Sequence, residues 1–199
     1  MSFRTGLARR RVLAAGAGAA LAAVLARFPR PVWAADEPLR TRPIPHSGEQ
    51  LPIVGIGTAV IYDFENGPAK YAERRQVIQA FVAGGARLID TAHSYGRAED
   101  RLGELVADLG VREKLFLATK FSFAADRAAA TASLQASLRR LKTNRVDLMQ
   151  AWNVGDPSYD FGLLREWKQQ GFCRYVGMTT SFMRQYEAIG KVLTREKPD

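Results

Sequence analysis

Leu88-Ile89-Asp90-Thr91-Ala92-His93-Ser94-Tyr95-Gly96 sets the reading of the whole chain. Ala86-Arg87-Leu88-Ile89 approaches it as the end of a short buried strand. Ser94-Tyr95-Gly96 reads as the loop that follows. A carboxylate at the end of a strand and a phenol just beyond it can face one pocket.

Upstream, Arg40 to Gln50 is rich in Pro, Gly and Ser, and Leu51-Pro52-Ile53-Val54-Gly55-Ile56-Gly57-Thr58 reads as a strand ending in closely spaced glycines. A helix is predicted over Ala69 to Ala83, stopped by Gly84-Gly85. Downstream, Leu102, Leu105, Val106 and Leu109 recur at i, i+3, i+4 and i+7, which predicts a helix over Ala98 to Leu109 with Gly110 at its C-cap. Leu115 to Thr119 is an apolar strand running into Lys120. Helices are predicted over Ala128 to Leu141, Phe161 to Gln170 and Phe182 to Leu193. Between them lie strands Val146 to Ala151, running into Trp152, and Tyr175 to Met178, running into Thr179-Thr180-Ser181. Strict alternation with short apolar strands predicts a parallel sheet covered by helices. Thr58, Asp90, Lys120, Trp152 and Thr179 all follow strand C-terminal ends, the functional edge of a βα barrel and of a doubly wound sheet alike. No Gly-x-Gly-x-x-Gly opens a helix after the first strand, which disfavours the doubly wound choice.

The length of 199 residues fits one domain, or one domain with a tail. A single cysteine, Cys173, excludes an intrachain disulfide and a cysteine metal cluster, and with only two histidines no metal site is expected. The net charge of +9 is mostly N-terminal: residues 1–34 hold six arginines and no acid, and the remainder carries 23 basic against 20 acidic residues. That balance gives no electrostatic footprint for nucleic acid. Arg9-Arg10-Arg11 precedes the uncharged, Ala/Gly-rich run Val12 to Ala26, too short and too weakly apolar for a stable membrane span. A basic head, such a core and Val32-Trp33-Ala34 as an exit predict a signal peptide over 1–34 and a mature domain over 35–199. The arginine pair resembles a twin-arginine export signal, with Ala8 where a serine or threonine usually stands. That implies recognition by the twin-arginine translocon and a periplasmic or otherwise exported protein.

A lysine ammonium beside a phenol favours the phenolate, and an aspartate beside the lysine keeps it charged. Asp90, Tyr95 and Lys120 at successive strand ends therefore make a plausible proton-donor unit.

Asp90-Thr91-Ala92-His93-Ser94-Tyr95-Gly96-x-x-Glu99 resembles the aldo-keto reductase signature, and Ala118-Thr119-Lys120-Phe121 resembles its lysine segment. Arg42-Pro43-Ile44-Pro45, Gly55-Ile56-Gly57-Thr58 and the run Trp167 to Thr179 are similar to the family's N-terminal hairpin, first strand and approach to the fifth strand. The resemblance implies an α/β fold, the N-terminal five βα units of a (βα)8 barrel. It implies NADP (or NAD) as cofactor and a small-molecule carbonyl substrate. Tyr95 would donate a proton, Lys120 would tune Tyr95, and Asp90 would hold Lys120. Gly57, Thr58 and Asp90 would lie by the cofactor, and Thr179 and Thr180 would meet its carboxamide. Trp152 stands where the family usually has a histidine, and an indole N–H donates one hydrogen bond but cannot accept one or titrate. His93, at a variable loop position, is a weak substitute. The chain reaches Lys197-Pro198-Asp199 where the family's sixth strand would begin, so an incomplete barrel is expected. The alternative implied by Trp152 and by that end is a non-catalytic or weakly active truncated barrel, serving as a binding or scaffold protein or left as a remnant.

Overall fold

A computed structural model of the chain describes residues 38–122 and 126–199, and the export signal expected over 1–34 lies outside the described residues. Two strands, β1 (Thr41–Pro43) and β2 (Gln50–Pro52), form an antiparallel hairpin. Five further strands follow, each with its helix: β3 (Gly55–Gly57) and α1 (Pro68–Ala83), β4 (Leu88–Asp90) and α2 (Ala98–Leu109), β5 (Phe116–Ser122) and α3 (Arg127–Arg140), β6 (Val146–Trp152) and α4 (Gly162–Gln169), β7 (Cys173–Thr179) and α5 (Tyr186–Glu196).

All neighbouring pairs in the larger sheet are parallel, and its order is β3-β4-β5-β6-β7. Spatial order equals chain order. A doubly wound sheet reverses direction at a switch point, whereas a (βα)8 barrel never does. The sheet therefore winds as the first five units of a barrel, as the sequence predicts. No helix among the described residues is long and apolar enough to cross a membrane.

The stretch Leu51 to Thr58 is not one strand. It serves the hairpin as far as Pro52, bends through the exposed Ile53 and Val54, and joins the parallel sheet only at Gly55. Pro52 has no N–H to carry a ladder onward. Gly55 permits the close approach of β3 to β4, since a Cβ there would stand 2.9 Å from the Leu88 carbonyl oxygen. The last helix begins at Tyr186 rather than Phe182, because the Thr180 hydroxyl takes the Phe182 N–H and a 3-10 turn, Met183–Gln185, intervenes.

Helix α2 matches its predicted bounds, with Leu102 and Leu105 fully buried and Gly110 in the left-handed conformation at φ 63°. The core between sheet and helices is completed by Phe121 against Trp167, ring centroids 4.8 Å apart. Each such side chain contributes about 1.5–3 kcal/mol when buried. The hairpin is tied to the N-terminal end of the sheet through Glu49. Its carboxylate takes hydrogen bonds from Tyr175 Oη at 2.7 Å, Arg87 Nη2 at 3.2 Å and Arg174 Nη2. Arg174 reaches on to Asp147 at 2.9 Å.

Candidate active site

The opposite, C-terminal edge of the sheet gathers the chemistry. Asp90 ends β4, and in register with it lie Gly57 on β3 and Ala118 on β5. Lys120 sits two residues further along β5, on the same sheet face as Ala118. Its ammonium is held at 2.5 Å from Asp90 Oδ2 and 2.9 Å from the Thr91 carbonyl. Lys120 is only 5% exposed. The ammonium lies 5.0 Å from the centroid of the Tyr95 ring. The structure thus brings Asp90, Tyr95 and Lys120 together.

Local structure explains the placement of Tyr95. A short turn, with the Tyr95 N–H donating to the Ala92 carbonyl at 3.1 Å, carries it from the strand end toward α2. Gly96 follows at φ 57°, and a Cβ there would collide with the Asp63 carboxylate at 2.4 Å. Asp63 also accepts the Arg97 N–H at 3.0 Å at the start of α2. The loop after β3 is thereby locked to the Tyr95 turn.

Three sets of contacts escape a reading of local sequence. Gln150 faces Lys120 in the β5–β6 register and donates to Asp90 Oδ1 at 3.2 Å, so both carboxylate oxygens are engaged. Glu99, 1% exposed, accepts from Thr119 Oγ1 at 2.6 Å and Arg140 Nε at 2.8 Å, which ties α2 and α3 to the strand that carries Lys120. His93 lies with its ring edge-on to Trp152, centroids 5.8 Å apart. Trp152 is half-buried, the last residue of β6, and pairs with Ser122 and Thr179 across the sheet.

The residues expected to meet a cofactor differ among themselves. Gly57 is exposed, with nothing within 4 Å of where a Cβ would stand. Thr58 is wholly buried, its N–H given to the Asp90 carbonyl and its hydroxyl without a hydrogen-bond partner. Thr180 is occupied by Gln185 and by the Phe182 N–H. Thr179 belongs to the row that includes Trp152 and Ser122. Asn153, in the left-handed conformation at φ 55°, joins β6 to β7 by accepting from the Ser181 N–H at 3.0 Å.

The sequence profile of the Aldo/keto reductase family matches residues 54–198. The chain belongs to the aldo/keto reductase family. An aldo-keto reductase of Mycolicibacterium smegmatis is 35% identical over 149 residues, a match covering 70% of this chain and 48% of that protein. The chain spans about half the length of the curated relatives it matches. Among solved structures, the thermostable aldo-keto reductase Tm1743, in complex with the inhibitor epalrestat, aligns with a TM-score of 0.66 and 26% identity, over 81% of this chain and 60% of that one. An aldo-keto reductase of Klebsiella pneumoniae in complex with NADPH shares the fold, with a TM-score of 0.62 and 24% identity over 75% of this chain and 51% of that one. In this domain Asp90 and Tyr95 come from the segment joining β4 to α2, and Lys120 from β5, the next strand.

Proposed function

We propose that this aldo/keto reductase transfers hydride between NADP(H) and a carbonyl/alcohol pair, with Tyr95 as the proton donor. The observation that carries the reading is the Lys120 ammonium, pinned by Asp90 at 2.5 Å and lying 5.0 Å from the Tyr95 ring centroid. Bound NADPH supplies the hydride. Tyr95 gives its phenolic proton to the oxygen that becomes an alkoxide, and Lys120 stabilises the charge left on the phenol oxygen. Asp90, held in turn by Gln150, keeps the ammonium in place. The exposed backbone at Gly57 leaves room for the cofactor beside Asp90, and Thr179 supplies a hydroxyl from β7. The buried Thr58 side chain supports that turn from behind.

NADP(H) is favoured because several structural neighbours were solved with NADP or NADPH. The test is carbonyl-dependent loss of NADPH absorbance by purified protein, with 4-nitrobenzaldehyde as probe. A rate that Tyr95→Phe lowers about a hundredfold or more supports the reading. A wild-type rate equal to that of Tyr95→Phe would refute it. A second reading, a binding or scaffold barrel without turnover, is favoured by Trp152 at the histidine position. NADPH binding without any carbonyl-dependent oxidation would establish it instead. The same proposal places the protein outside the cytoplasm through a twin-arginine signal. Arg9→Lys with Arg10→Lys should abolish its recovery in the periplasmic fraction, and unchanged export would refute that route.

A further inference from the structure

Gly96 follows Tyr95 directly, at φ 57°, and glycine leaves that conformation for others at little cost. A soft hinge thus adjoins the proposed proton donor. The backbone bonds of Tyr95 stay inside its own turn: its N–H donates to the Ala92 carbonyl at 3.1 Å, and its carbonyl accepts the Ala98 N–H at 3.0 Å. Asp63 reaches the hinge from outside. Its carboxylate stands 2.4 Å from where a Cβ on residue 96 would be, and it accepts the Arg97 N–H at 3.0 Å. It therefore holds both residues that follow Tyr95. It also sets a negative charge at the N-terminus of α2, where the helix dipole favours one.

Asp63 is fixed in turn. Tyr62 and Phe64 on either side of it are buried. The Phe64 carbonyl accepts from Arg101 Nε at 3.2 Å, which fastens this loop to α2 a second time. The Asp63 N–H donates to the Val60 carbonyl at 3.2 Å, closing a turn with Val60 at φ 67°. A β-branched residue is strained there, and such a conformation persists where surrounding contacts over-determine it. At the start of the loop the Thr58 N–H donates to the Asp90 carbonyl at 3.0 Å. One loop thus braces the stretch from Asp90 to Arg97 at both ends.

We propose that Asp63 is a positioning residue for the carbonyl reduction: by clamping the Gly96 hinge from the loop after β3, it keeps the Tyr95 side chain against Lys120. It acts through Gly96 and Arg97 on the direction of Tyr95, whose ring centroid lies 5.0 Å from the Lys120 ammonium. The inference rests on the reductase reading above. A carboxylate gives the Arg97 N–H a charge-assisted bond, about twice as strong as a neutral one. Asparagine keeps the acceptor and the shape at lower strength. The Arg97 side chain is the lesser partner. Its guanidinium stands 4.0 Å from the same Asp63 oxygen and 3.4 Å from Glu65, in exposed pairs that contribute little.

Two measurements test the proposal. Amide hydrogen exchange reads the clamp without catalysis. Protection of the Arg97 N–H should fall about tenfold or more in Asp63→Ala and be largely kept in Asp63→Asn. Equal protection in the wild type and Asp63→Ala overturns the clamp, whether or not the protein turns over. Reduction of 4-nitrobenzaldehyde reads the positioning, with kcat expressed per NADPH-binding site counted by fluorescence titration. Asp63→Ala should lower kcat per site about tenfold to a hundredfold with the Kd for NADPH unchanged, and Asp63→Asn should recover most of that loss. A residue that merely stabilised the fold would lower the number of sites and leave kcat per site alone. That result overturns the proposal and leaves the reductase reading intact. Glu65→Gln should match the wild type in both measurements; a loss equal to that of Asp63→Ala would assign the effect to ion pairing by Arg97 and overturn the clamp. Absence of any wild-type turnover defeats both the proposal and the reductase reading.

Discussion

Asp90→Asn removes a charge from a contact that the fold has little means of replacing. Lys120 is 5% exposed, and with asparagine at 90 its ammonium keeps the Thr91 carbonyl at 2.9 Å and a neutral amide oxygen but loses its counter-charge. Breaking a fully buried ion pair by deleting one partner costs about 3–5 kcal/mol. The Asp90 side chain is 36% exposed, so water reaches one side of the pair and the cost falls to about 2–3 kcal/mol. At about 2–4 °C per kcal/mol for a unit of this size, Tm should drop by about 5–10 °C. The reverse deletion is milder. Lys120→Met keeps an apolar stem in the buried site and leaves Asp90 with Gln150 and water, a loss of about 1 kcal/mol. In the double variant no orphaned ammonium remains, so its Tm should return close to that of Lys120→Met. Thermal unfolding followed by circular dichroism near neutral pH, without cofactor, gives all four values. A smaller loss in Asp90→Asn than in Lys120→Met would refute the reasoning, as would additivity of the two single changes within about 0.5 kcal/mol.

Gly103→Ala should destabilise by about 2–3 kcal/mol in the same assay, because a Cβ there would stand 2.1 Å from the Arg140 carbonyl oxygen and force α2 and α3 apart. Burial pushes the Glu49 carboxyl up, but hydrogen bonds from Tyr175 and Arg174 and the charges of Arg174 and Arg87 outweigh it and hold the folded value below the usual 4.5. A depressed folded value means stability that is present above 4.5 and lost as pH falls through the folded value. Glu49→Gln should therefore flatten the acid side of the stability profile, and an unchanged slope there would contradict the Glu49 network. Burial pushes the Cys173 thiol up to about 12, with a smaller opposing effect from Lys168, so it should react with Ellman's reagent only after denaturation.

The parts of the fold that sequence reveals are those fixed by short-range periodicity. Helix α2 is legible because four apolar residues repeat on one face and a left-handed glycine ends it. Strands β5, β6 and β7 are legible because apolar runs ending in polar residues leave few other structures for them. The Leu51 to Thr58 run misleads because its alternate halves satisfy two different sheets, and the hydrogen-bond partners that divide it lie more than thirty residues away on β4. Asp90, Tyr95 and Lys120 carry a local signature and come together as that signature implies. Glu99 stands in the quoted signature, but its contacts, like those of Gln150, come from register or helix packing: Gln150 stands opposite Lys120, and Glu99 reaches Thr119 and Arg140 across two elements. His93 looks dispensable in a loop, and only the paths of β5 and β6 put Ser122 and Trp152 around it.

The central claim is direct hydride transfer assisted by Tyr95. Its most direct measurement is the product formed from 4-nitrobenzaldehyde with NADPH deuterated at the nicotinamide C4, read by mass spectrometry for the wild type and for Tyr95→Phe. One deuterium on the carbinol carbon from the wild type, and about a hundredfold less alcohol from Tyr95→Phe, is the predicted result. Alcohol without deuterium on that carbon, or equal labelled product from both proteins, would contradict it.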